Sequence, residues 1–305
     1  MRRRLVLVAV IVLLLYAVVP QLSFFHASWH LLSHPRFSWI VLAITFAGLT
    51  YIFAALTYCL LALKPLPYWT TVLVQLAAMF INRLLPGGVG ALGVNYAYLR
   101  RKRFDAGQAT SMVAINNLAG VVGHGLLVAV VLLFAADQDQ RLSPRFGQPL
   151  YLLIIFALVL IVVIGAVLIF GRRRFNAFMR SIRTQLLGYQ DHPERLIAGL
   201  LSSILLTTCN VACLACAVLA LGVHLPFVAV LLIFTFGIGA GTVTPTPGGL
   251  GGFEAGLVAG LVAYRVANAE ALAIALLYRL ISYWLALAIG GAAFVVAQRR
   301  QLFSS

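Results

Sequence analysis

Apolar residues run along this chain in long blocks, and polar residues gather in the gaps between them. The blocks predict helices over about 5–24, 37–63, 68–84, 89–99, 106–135, 149–170, 195–221, 226–244, 250–264 and 269–297. Six reach about 20 residues or more, enough to cross a bilayer. The four short blocks pair around two breaks. Leu85-Pro86-Gly87-Gly88-Val89-Gly90-Ala91-Leu92 is one, and Thr246-Pro247-Gly248-Gly249-Leu250-Gly251-Gly252-Phe253 is the other. Pro247 follows Pro86 by 161 positions (247 − 86). Proline and glycine end helices, and a broken helix at membrane depth is tolerated only where protein or a cavity receives the freed backbone. Such breaks at corresponding places in two halves point to a transporter's binding site.

Composition agrees with the pattern. The chain of 305 residues is 63% hydrophobic and 10% charged, with mean hydropathy +1.03. The longest polar stretch, about 171–195, is too short to bury a core of its own. Residues 1–305 therefore read as a single integral membrane domain, an all-α polytopic one.

Charge sets the expected topology. The net charge is +15, from 22 basic and seven acidic residues. In a soluble protein that excess would suggest nucleic acid. Here the arginines sit at the ends of apolar blocks, as in cytoplasmic loops, which argues against nucleic acid and for contact with anionic head groups. The clusters are Arg2-Arg3-Arg4, Arg100-Arg101-Lys102-Arg103, Arg172-Arg173-Arg174 with Arg180 and Arg183, and Arg299-Arg300. The loops at about 21–36 and 136–148 are weakly charged. The basic start followed by Leu5 to Val19 reads as an uncleaved first transmembrane helix, since no convincing small-residue cleavage site follows it.

With every basic cluster inside, both termini are cytoplasmic. The 68–99 segment then begins and ends inside, and 226–264 begins and ends outside. Both read as re-entrant helical hairpins of opposite orientation. The predicted architecture is about six transmembrane helices plus two such hairpins, an inverted repeat of units about 37–135 and 195–297. Hairpin arms that span fully would leave the loop parity unchanged, so the charge rule does not choose between the two.

Polar groups inside apolar blocks are the candidate chemistry, because they are costly there. The first break brings Asn82 and Arg83 beside Pro86, Gly87 and Gly88, and the helix after it brings Asn116, Asn117 and His124. The second break brings Thr244, Thr246, Pro247, Gly248, Gly249 and Glu254, and the closing helix Tyr278, Arg279, Tyr283 and Trp284. Two buried arginines suit phosphate, whose oxygens match the guanidinium fork. The helix starts after each break favour an anion as well. Glu254 is the one acid well inside an apolar block. It reads equally as a salt-bridge partner for Arg279 or Arg83 and as a gating or proton-coupling group. His124 reads as a hydrogen-bonded packing residue. His26, His30 and His34, spaced by four, read as part of an interfacial segment rather than a metal site. Cys59, Cys209, Cys213 and Cys216 read as small packing residues. No metal or cofactor site and no catalytic set emerges.

These residues resemble a known family. Pro247-Gly248-Gly249-Leu250-Gly251 with Glu254, then Leu277-Tyr278-Arg279, resembles the lysylphosphatidylglycerol synthase transmembrane-region family, also called flippase-like or UPF0104. Asn82-Arg83-Leu84-Leu85-Pro86-Gly87-Gly88 matches in the first half. The resemblance covers nearly the whole chain. It implies an integral membrane protein that moves or presents lipids. The best-known members carry a similar region that flips aminoacylated phosphatidylglycerol, fused to a soluble aminoacyl-transferase domain. These 305 residues hold no such domain, so lysine transfer is not expected. Many members have a charged pair where this chain has Asn116-Asn117, which weakens any head-group specificity borrowed from the synthases.

The expected function is a membrane lipid translocase of the cell (inner) membrane. It would bind an anionic phospholipid or polyprenyl phosphate between the hairpins. The alternatives are an ion-coupled small-solute transporter, or a non-transporting partner of an envelope lipid or glycan enzyme.

Overall fold

A computed structural model of the chain describes residues 35–85, 88–135, 186–244 and 246–303, with a few positions between 176 and 183. Each apolar block within that range is helical. The helices are α1 (Phe37–Leu61), α2 (Tyr68–Leu84), α3 (Val89–Arg101), α4 (Ala106–Ala135), α5 (Pro193–Ala220), α6 (Phe227–Val243), α7 (Gly252–Ala263), α8 (Asn268–Arg279) and α9 (Ala286–Arg299). A π-helical segment, Leu280–Leu285, joins α8 to α9. The predicted helices at about 5–24 and 149–170, and His26, His30 and His34, lie outside the described residues.

Four helices are long and apolar enough to cross a membrane: Phe37–Leu61, Ala106–Leu133, Pro193–Ala220 and Asn268–Arg299. The chain is a helical membrane protein. The helices beside the breaks are shorter, with 17 residues in α2 and 13 in α3, then 17 in α6 and 12 in α7. At ~1.5 Å per residue none of them reaches the ~30 Å of a hydrocarbon core. The order long, short, short, long thus occurs twice among the described helices.

The two halves are interlocked. α1 and α5 lie antiparallel along each other and form the central pair. At one end the Arg36 amide donates to the Ala220 carbonyl at 2.9 Å. At the other, Arg195 Nη1 donates to the Ala62 carbonyl at 2.9 Å, and the Tyr189 hydroxyl donates to the Leu61 carbonyl. Between them Thr57 Oγ1 donates to Ser202 Oγ at 3.1 Å. Without a hydrophobic drive between helices in lipid, such polar links and close contacts carry the association. Gly199 supplies one close contact: a Cβ there would lie 2.5 Å from Leu61 Cδ2.

The hairpins open toward opposite ends of this pair. The first, α2–α3, has its open end beside Leu61, in an apolar cluster with Leu66, Leu99, Phe104, Met112 and Tyr189. The second, α6–α7, has its open end beside Ala220, in a cluster with Ala43, Val230, Leu261, Val266 and Ala271. Each also packs on the long helix that closes the other half: α2 lies along α9, and α6 touches α4.

Polar pairs and close backbone contacts hold the hairpins together. In the first, Gln75 Nε2 donates to Asn95 Oδ1 at 2.8 Å and the hydroxyls of Thr71 and Tyr98 pair at 3.0 Å, all buried. In the second, small residues let backbones touch: a Cβ on Gly256 would lie 2.9 Å from Gly237 Cα.

Charge is uneven along this axis. Lys64, Arg100, Arg101, Lys102, Arg103, Arg195, Arg299 and Arg300 belong to the Leu61 end, where Leu302 and Phe303 pack on the same apolar cluster. Among the described residues, Arg36 and Arg265 are the lysines or arginines of the Ala220 end.

Candidate functional site

The two apolar clusters are separated by a polar level near the middle of the long helices. There a cavity of about 370 Å³ opens. It is lined by α1 to α5 and by Ser282 of the π-helical segment. Asn82, Arg83, Gly88, Asn116 and Asn117 of the expected site reach it, as do Tyr51 and Asn210. Pro86 and Gly87 lie outside the described residues.

Arg83 is the cation of this lining. It sits in the last turn of α2, far from the basic end, and is 9% exposed. Its guanidinium donates to the Met79 carbonyl at 3.3 Å, the Tyr51 hydroxyl at 3.3 Å and the Ser282 carbonyl. These acceptors are neutral. Among the described residues, no carboxylate lies within salt-bridge distance of Arg83. A buried guanidinium whose hydrogen-bond acceptors are neutral keeps its positive charge uncompensated by them, and so attracts an anion.

Asn82 has a local task. Its Oδ1 accepts from the Ala91 amide at 3.2 Å, satisfying one of the free N–H groups at the start of α3. Asn82 and α3 face each other across the break because Gly90 lets them: a Cβ there would lie 2.6 Å from the Ile81 carbonyl carbon.

The second break builds an ion pair instead. Glu254 accepts from the Gly251 amide at 2.8 Å, capping α7, and from Arg279 Nε at 2.6 Å. Of the two salt-bridge partners expected for Glu254, the structure selects Arg279. Arg279 also donates to the Gly248 carbonyl at 3.2 Å. Its guanidinium lies between two rings, 4.8 Å from the centre of Phe253 and 4.7 Å from that of Tyr283. The pair is buried, with side chains 7% and 13% exposed. Pro247, Gly248 and Gly249 form the turn beside it, where the Thr246 hydroxyl donates to the Leu250 carbonyl at 2.7 Å. The Thr244 hydroxyl donates to the Ala240 carbonyl at 2.8 Å.

Tyr283 connects the two breaks. Its hydroxyl donates to the Arg83 carbonyl at 3.2 Å, and its ring centre is 5.6 Å from the Arg83 guanidinium. Trp284 meets the Tyr283 ring edge-on at 5.1 Å. Gly248 has φ +61° and lies against this ring: a Cβ there would be 2.5 Å from Tyr283 Cε2. Only glycine meets both demands. The π-helical segment supplies both Tyr283 and the Ser282 carbonyl, and such segments commonly occur at functional sites.

Thus Asn82, Arg83, Gly88, Asn116 and Asn117 share the cavity lining, while Pro247, Gly248, Gly249, Glu254 and Arg279 form a fixed cluster beside it. Tyr278 is not part of the cavity lining. It is 3% exposed, stacked on Phe253 at 5.9 Å and edge-on to Phe234 at 6.3 Å. His124 Nε2 meets Thr235 Oγ1 at 3.1 Å, a packing link between α4 and α6. Cys209, Cys213 and Cys216 are buried in α5. Tyr51, Gln75, Asn95, Asn210 and Ser282 join the lining without having been expected. Asn210, Gln75 and Asn95 did carry a signal, being carboxamides inside apolar blocks.

No curated protein matches the chain. The family model of the lysylphosphatidylglycerol synthase TM region matches residues 4–290, nearly the full length read here, and the chain belongs to that family.

Proposed function

We propose that the protein is a lipid translocase that takes the phosphate of an anionic head group at Arg83. Family membership ties the chain to lipid modification or translocation. The observation that carries the finer reading is Arg83 itself: a buried guanidinium held by neutral oxygens, lining a cavity near the middle of the long helices. Nη2 spends its N–H groups on Tyr51 and Ser282, and the remaining N–H groups and the charge are what a phosphate would take, as charge-assisted hydrogen bonds.

In this reading the α2–α3 and α6–α7 hairpins are re-entrant and enter from opposite faces, and the basic Leu61 end faces the cytoplasm. The short arms and the opposed open ends support it. Head-group transfer follows from alternating exposure of the cavity to the two faces, with the acyl chains left in the bilayer. Glu254 and Arg279 keep the second break in shape, and Tyr283 transmits movement between the breaks. Separation of the Glu254–Arg279 pair would free a second guanidinium next to the first.

The experiment is lipid translocation in proteoliposomes. Head-group-labelled phospholipids and a polyprenyl phosphate are compared for wild type, Arg83→Ala and Arg279→Ala. Transport by the wild type that both substitutions abolish, with folding intact, supports the reading. A well-folded wild type that moves none of these lipids overturns it and turns attention to a small solute.

A further inference from the structure

We infer that the cavity selects a phosphoester whose other substituent is an uncharged polyhydroxyl group, a polyol or a sugar, and rejects one that carries an amine. The inference rests on the same Arg83 site and names what lies beyond the phosphate.

The cavity lining holds one cation, Arg83, and among the described residues no Asp, Glu or Lys. The same lining holds carboxamides, among them Asn82, Asn116, Asn117 and Asn210. An ammonium group placed there would leave water without gaining a carboxylate, a loss that a polar site does not make good. A hydroxyl group both donates and accepts, and so do carboxamides.

The hydrogen bonds already made divide the carboxamides into two kinds. Asn117 Nδ2 donates to the Val113 carbonyl at 2.8 Å, and Asn210 Nδ2 donates to the Leu206 carbonyl at 3.1 Å. Each keeps its amide oxygen as an acceptor for a ligand hydroxyl. Asn82 spends its oxygen on the Ala91 amide and keeps two N–H donors. Acceptors and donors thus share one cavity with a guanidinium, which is the complement of a phosphate bearing hydroxyl groups. The volume of about 370 Å³ falls within the ~300–1,000 Å³ common to small-molecule sites.

The test has a binding arm and a transport arm. Purified protein in detergent is titrated with glucose 1-phosphate, glycerol 3-phosphate, phosphocholine and phosphoethanolamine, and thermal unfolding is followed. The two polyhydroxyl phosphates are expected to bind about tenfold or more tighter than the two amines, as a polar site rejects a ligand that leaves groups unpaired. Asn117→Asp and, separately, Asn210→Asp supply a carboxylate, and each is expected to shift the preference toward the amines. Two variants keep the test open if one fails to fold. Equal binding of all four compounds, or tighter binding of the amines by wild type, overturns the inference.

Proteoliposomes then compare a glycerol-head phospholipid and a glycosyl polyprenyl phosphate with choline- and ethanolamine-head phospholipids, and test uptake of soluble glucose 1-phosphate. Transport of every lipid alike, with no preference in binding, overturns this inference and leaves the translocase reading standing. A binding preference without lipid transport upholds the head-group assignment and removes the translocase reading. Uptake of the soluble sugar phosphate identifies the free compound as the source.

Discussion

Arg83 and Tyr283 are tied twice: the phenol donates to the Arg83 carbonyl at 3.2 Å, and the guanidinium lies 5.6 Å from the centre of the same ring. The contact joins two sequence positions 200 apart, one at the first break and one in the π-helical segment. Because Gly248 and Arg279 of the second break's cluster also rest on this ring, Tyr283 is a direct physical link between the breaks.

Substitution separates its two roles. Tyr283→Phe removes the hydrogen bond and keeps the ring, so a loss of about 0.6 kcal/mol is expected, the average for a hydrogen bond between membrane helices. Tyr283→Ala removes the ring from under both guanidinium groups and leaves a cavity, which costs about 3–5 kcal/mol. Thermal unfolding in detergent checks both values. A Phe variant as unstable as the Ala variant would show that the hydroxyl, not the ring, connects the breaks.

The Glu254–Arg279 pair is expected to show the asymmetry of buried ions. Glu254→Gln alone leaves Arg279 without its counter-ion, and Arg279→Gln alone leaves Glu254 so. Each is expected to cost about 3–5 kcal/mol. The double variant, with neither charge buried, is expected to be more stable than either single one. A double-mutant cycle on unfolding measures the coupling. Additive losses would mean that the two charges do not sense each other, against the 2.6 Å contact.

Glycines near the first break differ sharply in what they tolerate. At Gly90 an added Cβ would meet the Ile81 backbone at 2.6 Å, whereas at Gly93, one turn on, nothing lies within 4 Å. Backbone cannot swing aside as a side chain can, so Gly90→Ala is expected to separate Asn82 from α3 and lower the unfolding temperature by several degrees. Gly93→Ala is expected to be neutral or stabilising by up to ~1 kcal/mol, since alanine favours helix. Unfolding temperatures of the two variants, measured side by side, check the contrast.

Much of this arrangement was legible in the sequence, because membrane insertion makes hydrophobic length and loop charge explicit. The four long helices within the described range begin and end within a few residues of the apolar blocks that predict them. The repeated Pro-Gly-Gly motif marked the breaks between α2 and α3 and between α6 and α7, and Glu254 had its partner among the two arginines proposed. What was not legible depends on side-chain direction. Tyr278 and Arg279 are adjacent in sequence, yet one points into an apolar cluster and the other to Glu254. The π-helical segment left no trace in the hydrophobic pattern, because one extra residue per turn shifts a face without changing composition. Tyr51 sits on a helix that is apolar nearly all round, and aromatic residues in such helices are too common to single out.

The arginine at the cavity is the decisive position. If Arg83 binds phosphate, Arg83→Lys keeps the charge but loses the planar set of donors, and Arg83→Gln loses the charge. A charge-assisted hydrogen bond is worth about 1.5–3 kcal/mol, so Arg83→Gln is expected to lower apparent affinity for an anionic lipid tenfold or more, with Lys between Gln and wild type. The side chain also holds Tyr51 and Ser282, so some stability is lost in each case. That loss would lower the amount of folded protein without changing the affinity of what remains. Lipid titrations of protein recovered as a single folded species therefore separate the two effects. An unchanged affinity in Arg83→Gln would assign Arg83 to joining α1, α2 and the π-helical segment, and would leave the cavity without a cation for its ligand.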